Sequence, residues 1–239
     1  MPYLIRTTYI IFTIILLSSV SNAYADFSGA LSFASDYIWR GVSQTQNNPA
    51  VQGALTYDIF DTGFYLSLFG SNVDFGEESS AYSEFDYMAG YSHDFNNDWN
   101  VDLGITDYTY PNASENNYAE GYFNLGYKFL TANFAYSANN FNTGTDGYYY
   151  GLTAKHELFE NSKDQCLQKL YILGHVGYFQ MSDEIEGGSY SDYQLSLSKE
   201  ISNFNLELGW TDTHNRGIAD GLADSRVYIA ITLNFGKTA

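Results

Sequence analysis

His93 stands directly before Asp94, His156 before Glu157, and His214 two residues after Asp212. A histidine beside a carboxylate is the pairing from which a general base is built, the carboxylate orienting the imidazole. Such chemistry also needs a nucleophile within reach. No G-x-S-x-G turn offers one, and no H-E-x-x-H spacing marks a zinc site. His175 falls inside an alternating segment rather than a loop. Only the His214–Asp212 pair has a place in a lipid- or peptide-cleaving barrel enzyme, and solvated loop residues are the simpler reading of it. Glu77-Glu78 and Asp183-Glu184-Ile185-Glu186 carry carboxylates suited to Ca²⁺ but lack the EF-hand pattern. The expectation is a non-enzyme with no cofactor and no resident metal.

The remaining chemistry is charge. Asp and Glu number 28 against 10 Lys and Arg, for a net charge of −18. Nucleic acid is excluded as a partner, because phosphate binding needs a basic surface. Tyr (23) and Phe (17) are abundant and Pro (3) is scarce, a composition that suits strands rather than disorder. The single cysteine, Cys166, rules out an internal disulfide and reads as a chance thiol in a turn.

The elements that must position these charges begin after an export signal. Met1 to Arg6 is short and basic, Ile10 to Leu17 is almost wholly apolar, and Ala23-Tyr24-Ala25 is an A-x-A cleavage site before Asp26. Residues 1–25 are therefore expected to be a signal peptide and 26–239 one domain. Removing the signal takes away Arg6 and no acid, leaving the remainder more negative still. No apolar run after it approaches the ~18 residues of a spanning helix. A membrane role then requires a barrel, since only helices and closed barrels satisfy every backbone group in lipid.

Alternating segments fill the rest: 27–39, 50–59, 64–73, 83–91, 99–110, 118–129, 132–138, 148–158, 170–180, 192–199, 204–211 and 225–235. Trp99, Val101, Leu103 and Ile105 share one face, and Asn100, Asp102, Gly104 and Thr106 the other. The breaks alternate in length. Those near 61–63, 96–98, 130–131, 161–168 and 201–203 are mostly short; those at 41–49, 74–81, 111–117, 139–147, 181–191 and 212–224 are longer and acidic or rich in Asn and Gly. Short turns at one end and long loops at the other are expected of an outer-membrane barrel. The fold predicted is all-β, a transmembrane antiparallel up-and-down β-barrel of about twelve strands.

Alternation alone also fits a soluble barrel with its apolar face inside. The polar face decides. It is mostly Ser, Thr, Gly, Ala, Asn and scattered Asp, too poor in Lys and Glu for a water-exposed exterior. Aromatics gather near strand ends as candidate interfacial girdles, among them Tyr37, Trp39, Tyr91, Trp99, Tyr108, Tyr110, Tyr178 and Trp210. Gly next to an aromatic recurs, as in Gly90-Tyr91 and Gly209-Trp210, and reads as strand-end packing. With Phe27, Leu31, Phe33, Tyr37 and Trp39 facing lipid, Asp36 and Arg40 face the lumen, and Arg40 is placed at the outer rim beside Arg226. An arginine on the lipid side at the midplane would cost ~2–4 kcal/mol. The lumen-lining candidates are Asp36, Arg40, Asp86, Asp102, Glu120, Glu207 and Arg226.

The run from Ser35 to Thr45, S-D-Y-I-W-R-G-V-S-Q-T, followed by Pro49-Ala50-Val51-Gln52-Gly53, resembles the N-terminal signature of the TorF-like porin family. Ser71-Asn72-Val73-Asp74-Phe75, Tyr108-Thr109-Tyr110-Pro111 and Trp210-Thr211-Asp212-Thr213 extend the resemblance along the chain. The resemblance implies a barrel in the outer membrane of a Gram-negative bacterium, in contact with lipid and lipopolysaccharide, with a pore function and no assigned substrate. One departure is the C-terminus, where Phe235 is followed by four further residues. The expected function is passive passage of small solutes or ions, with a cation preference set by the acidic wall. The alternative is a closed barrel with a structural or surface-interaction role.

Overall fold

The computed structural model describes residues 26–77, 79–96, 98–182, 188–214 and 221–236. The proposed signal peptide and the acidic run at 183–186 lie outside the described residues.

Among the described residues fourteen strands follow one another: β1 (Asp26–Ala34), β2 (Ile38–Trp39), β3 (Val42–Ser43), β4 (Ala50–Asp58), β5 (Phe64–Asn72), β6 (Ser83–Asp94) and β7 (Trp99–Thr109), then β8 (Tyr118–Tyr127), β9 (Leu130–Ser137), β10 (Gly147–Glu157), β11 (Leu170–Met181), β12 (Tyr190–Ile201), β13 (Phe204–His214) and β14 (Arg226–Gly236). All but β2 and β3 form one closed antiparallel barrel in chain order, twelve strands around, with β1 between β4 and β14. Closure sets Leu31 opposite Leu233 and Phe33 opposite Ile231. Every strand edge in the wall is thereby paired, which removes the unpaired N–H and C=O groups that lipid does not tolerate.

The barrel is apolar outside and polar inside. Leu66, Ile105, Leu195 and Leu208 are exposed on the outer face, and Phe33 and Ile229 keep 56% and 57% of their surface open. Glu84, Asp86, Thr106, Glu120, Asp192, Ser196 and Thr211 are buried. A soluble barrel would bury the first set and expose the second, because burying polar groups costs free energy and burying apolar ones gains it. Connections at one end run through 59–63, 95–98, 128–129, 158–169 and 202–203, and those at the other through 35–49, 73–82, 110–117, 138–146, 182–189 and 215–225. The alternation of short and long breaks corresponds to these two ends, with 158–169 the one long connection at the short-turn end.

The first segment departs from expectation. It is not one wall strand to residue 39; the wall strand ends at Ala34. Ser35 N–H still donates to the Ile229 carbonyl (2.9 Å), and from there the chain turns into the barrel. The Asp36 carboxylate accepts from Ser43 Oγ (2.6 Å) and Thr45 Oγ1 (3.0 Å), folding residues 36–45 back on themselves. Strands β2 and β3 pair as a hairpin, Trp39 opposite Val42, with Arg40 (φ 48°) and Gly41 (φ 80°) as its two-residue turn. Positive φ at both positions is the backbone of a type I′ hairpin turn. Tyr37 and Trp39 therefore face not lipid but the packed interior of the barrel.

Candidate functional site

Arg40 at the tip of this hairpin crosses the interior instead of standing at the outer rim. Its Nη2 donates to Glu120 Oε1 on β8 at 2.7 Å. The guanidinium carbon lies 4.2 Å from the Trp39 ring centroid, 4.1 Å from that of Tyr149 on β10 and 4.7 Å from that of Phe179 on β11. Guanidinium, always charged and weakly hydrated, is suited to such a box of π-faces. The left-handed backbone at a non-glycine residue costs about 1–2 kcal/mol. The side chain's ion pair and three aromatic contacts offset that cost and hold the tip in place. Arg226, expected beside Arg40, instead donates through Nη1 to Asp36 Oδ2 at 3.1 Å. The two arginines thus clamp different parts of one inward loop to different parts of the wall. Glu84 on β6 supplies a third attachment, accepting from Tyr37 Oη at 2.8 Å.

Apolar packing completes the seat. Trp39 makes edge contacts with Phe141 and Phe179 at centroid distances of 6.0 and 5.8 Å, and Val42 joins a buried cluster with Tyr149, Phe179, Met181 and Tyr190. Space remains around the hairpin. A chamber of about 540 Å³ lies between it and the walls of β1, β4–β7 and β12–β14, and Asp36, Asp86 and Glu207 contribute to its lining. A second cavity of about 300 Å³ lies among Trp39, Val42, Phe75, Phe141 and Leu222, on the long-loop side. A third, of about 110 Å³, is bordered by Arg40, His175 and Asp192.

Of the seven charges expected in the lumen, Asp36, Asp86 and Glu120 are buried, and the seven do not form one site. Asp102 accepts from Tyr65 Oη (2.8 Å) and from Asn124 (3.3 Å), and the Tyr65 hydroxyl also meets that of Tyr122. Glu207 accepts from Tyr228 Oη at 2.7 Å. Asp86 is different: it is buried, and its Oδ1 has no hydrogen-bond partner. His175, to which the sequence assigned no role, contacts Thr153 Oγ1 through Nδ1 (2.7 Å) and Tyr149 Oη through Nε2 (2.8 Å). The Tyr149 hydroxyl also reaches Asp192, joining β10, β11 and β12 in one network. His214 lies on the outward parity of β13 with Trp210 and Asp212, while Thr211 and Thr213 are buried. Among the described residues, no cluster of three or more His, Cys, Asp and Glu is placed to hold a metal ion.

The recurrent glycines have a more specific role than strand-end packing. Gly90 and Gly209 face inward, and each leaves room for a tyrosine from the neighbouring strand, Tyr65 and Tyr228 respectively, to lie across it. The aromatic that follows points the other way: Trp210 is exposed. The girdle residues likewise divide, Trp99, Tyr178 and Trp210 outward, Tyr37, Trp39 and Tyr110 inward.

A closed twelve-stranded barrel with an apolar exterior, a polar interior and an inward-folded loop is a porin-type fold. The chain belongs to the family described as "Bacterial protein of unknown function (Gcw_chp)", whose profile matches residues 19–232. No curated protein matches it. Among solved structures it is similar to one described as KdgM porin, at 12% identity and TM-score 0.56 over 88% of this chain and 99% of that one. It is similar also to the NanC porin, at 10% identity and TM-score 0.54 over 89% and 100%. A KdgM porin in complex with disordered oligogalacturonate gives 12% identity and TM-score 0.54 over 89% and 99%. At these identities the likeness is one of fold.

Proposed function

We propose that this protein is an outer-membrane channel for small solutes or ions, secreted through cleavage after Ala25 and preferring cations. The inside-out barrel supports the reading most directly: a belt of exposed Leu, Ile, Val and Phe around a buried carboxylate-rich interior. The porin folds of the neighbours and the N-terminal resemblance to TorF-like porins agree with it. Asp36, Asp86, Asp102, Glu120 and Glu207 line the conduit, with Arg40 and Arg226 holding its internal loop. An interior dominated by one sign concentrates counter-ions and repels co-ions. Such an interior disfavours an anionic chain like the oligogalacturonate of the KdgM complex.

The inward hairpin sets the conductance. It packs against the inner wall yet leaves cavities around it. A closed barrel with a structural or surface role is the second reading, favoured by the tight seat of Trp39 among Phe141 and Phe179. Planar-bilayer recording of the purified, refolded barrel separates the two. Small discrete current steps are expected; a barrel that folds and inserts but carries no current would establish the second reading.

A further inference from the structure

We infer that the chamber beneath the hairpin is a binding site for a small organic ammonium ion, with Asp86 as its anionic contact. The inference rests on the channel reading and names the class of solute that channel takes. Three carboxylates contribute to the chamber wall, but two are already engaged. Asp36 accepts from Arg226, Ser43 and Thr45, and Glu207 accepts from Tyr228. Asp86 is 95% buried, borders the chamber, and has no partner on its Oδ1. An ionised carboxylate is an acceptor only, and keeping it charged while buried is costly unless a donor or a cation arrives. Among the described residues, no Lys, Arg or His lines the chamber.

The remaining wall selects the kind of cation. Phe69, Met88, Ile38 and Trp39 present apolar and aromatic surface beside Asp86, while Gln52, Gln194 and Tyr108 add neutral polar groups. A divalent metal is poorly served there, since no group of three ligating side chains is available among the described residues. An alkylammonium ion fits each feature. Its N–H groups donate to Asp86, its charge is neutralised, and its carbon chain covers the apolar wall, with the aromatic faces adding cation–π attraction. A volume of about 540 Å³ lies within the usual range of small-molecule sites, ~300–1,000 Å³, and exceeds what four or five carbons require.

The test uses the folded barrel in detergent and n-butylammonium chloride as the probe, with sodium butyrate as its charge-reversed counterpart. Calorimetric titration should show saturable binding of butylammonium and none of butyrate. Asp86→Asn should weaken it at least tenfold. Met88→Lys, two positions along β6 on the same face, tethers an ammonium in the chamber and should abolish binding. Equal binding to wild type and Asp86→Asn, butyrate binding as tight as butylammonium, or no binding to wild type would each overturn the inference. The comparison of butylammonium with butyrate on wild type stands even where a variant fails to fold. In bilayers, butylammonium should reduce the potassium current of wild type at concentrations that leave Asp86→Asn unaffected. Binding without any current would remove the channel reading and keep the site; current without binding would remove the site and keep the channel.

Discussion

Arg40 and Glu120 form an ion pair with almost no water around it, and their value lies in position more than in net stability. Desolvating two charges takes back most of what their attraction supplies, whereas removing one partner strands the other. Glu120→Gln and Arg40→Gln are each expected to cost about 3–5 kcal/mol, and the double variant less than the sum of the two. Urea midpoints from the gel-mobility difference between folded and unfolded barrel would measure this. Selectivity should move in opposite directions. Arg40→Gln leaves Glu120 unneutralised and raises cation preference; Glu120→Gln leaves Arg40 and lowers it. Reversal potentials in a salt gradient read both, and unchanged values in both variants would make the pair scaffolding alone.

On the channel reading proposed above, the hairpin is the element that limits flow, and its geometry depends on Gly41. At φ +80° a side chain is strained, and a Cβ there would press on Thr213 and Asp192. Gly41→Val is expected to undock β2 and β3 at a cost of about 1–3 kcal/mol. The twelve wall strands do not depend on that turn, so the barrel should still close. Larger single-channel conductance and greater acrylamide quenching of tryptophan, from Trp39 released to water, are the expected signs. Normal conductance in a folded Gly41→Val barrel would show that the loop does not limit flow. The wall has its own dependence on small residues. Gly209→Val would collide with Tyr228 and disturb the Tyr228–Glu207 bond, and a loss of about 1–3 kcal/mol is expected from such overpacking.

For the whole molecule, the acidic interior predicts a cation preference that depends on ionic strength. Screening lengths fall from about 30 Å at 0.01 M to about 3 Å at 1 M salt. Cation selectivity should therefore be greatest in dilute KCl and decline toward the ratio of free mobilities in concentrated KCl. An anion-preferring wild type would contradict the argument. N-terminal sequencing of the mature protein should begin at Asp26, and fractionation should place it in the outer membrane; an intact Met1 or a soluble periplasmic product would refute the export reading.

Strand number, closure and the facing of the cleanly alternating segments were legible in the sequence because they follow from period two and from the solvent on each face. Val227, Ile229 and Ile231 alternate with polar or small residues, and a strand has only two sides on which to put them. The paucity of Lys and Glu on the polar face decided which side met water. The path of residues 35–49 was not legible. Tyr37 and Trp39 keep the alternation of a wall strand because β2 is itself a strand, and periodicity reports local geometry, not whether a strand lies in the wall or inside it. Tertiary structure decided that path through contacts between residues far apart in the chain: Asp36 with Arg226, Tyr37 with Glu84, Arg40 with Glu120. The same holds for Asp86. Its inward parity was readable, but its lack of a partner depends on what every other strand and loop brings to the chamber, which only the closed barrel with its hairpin in place determines.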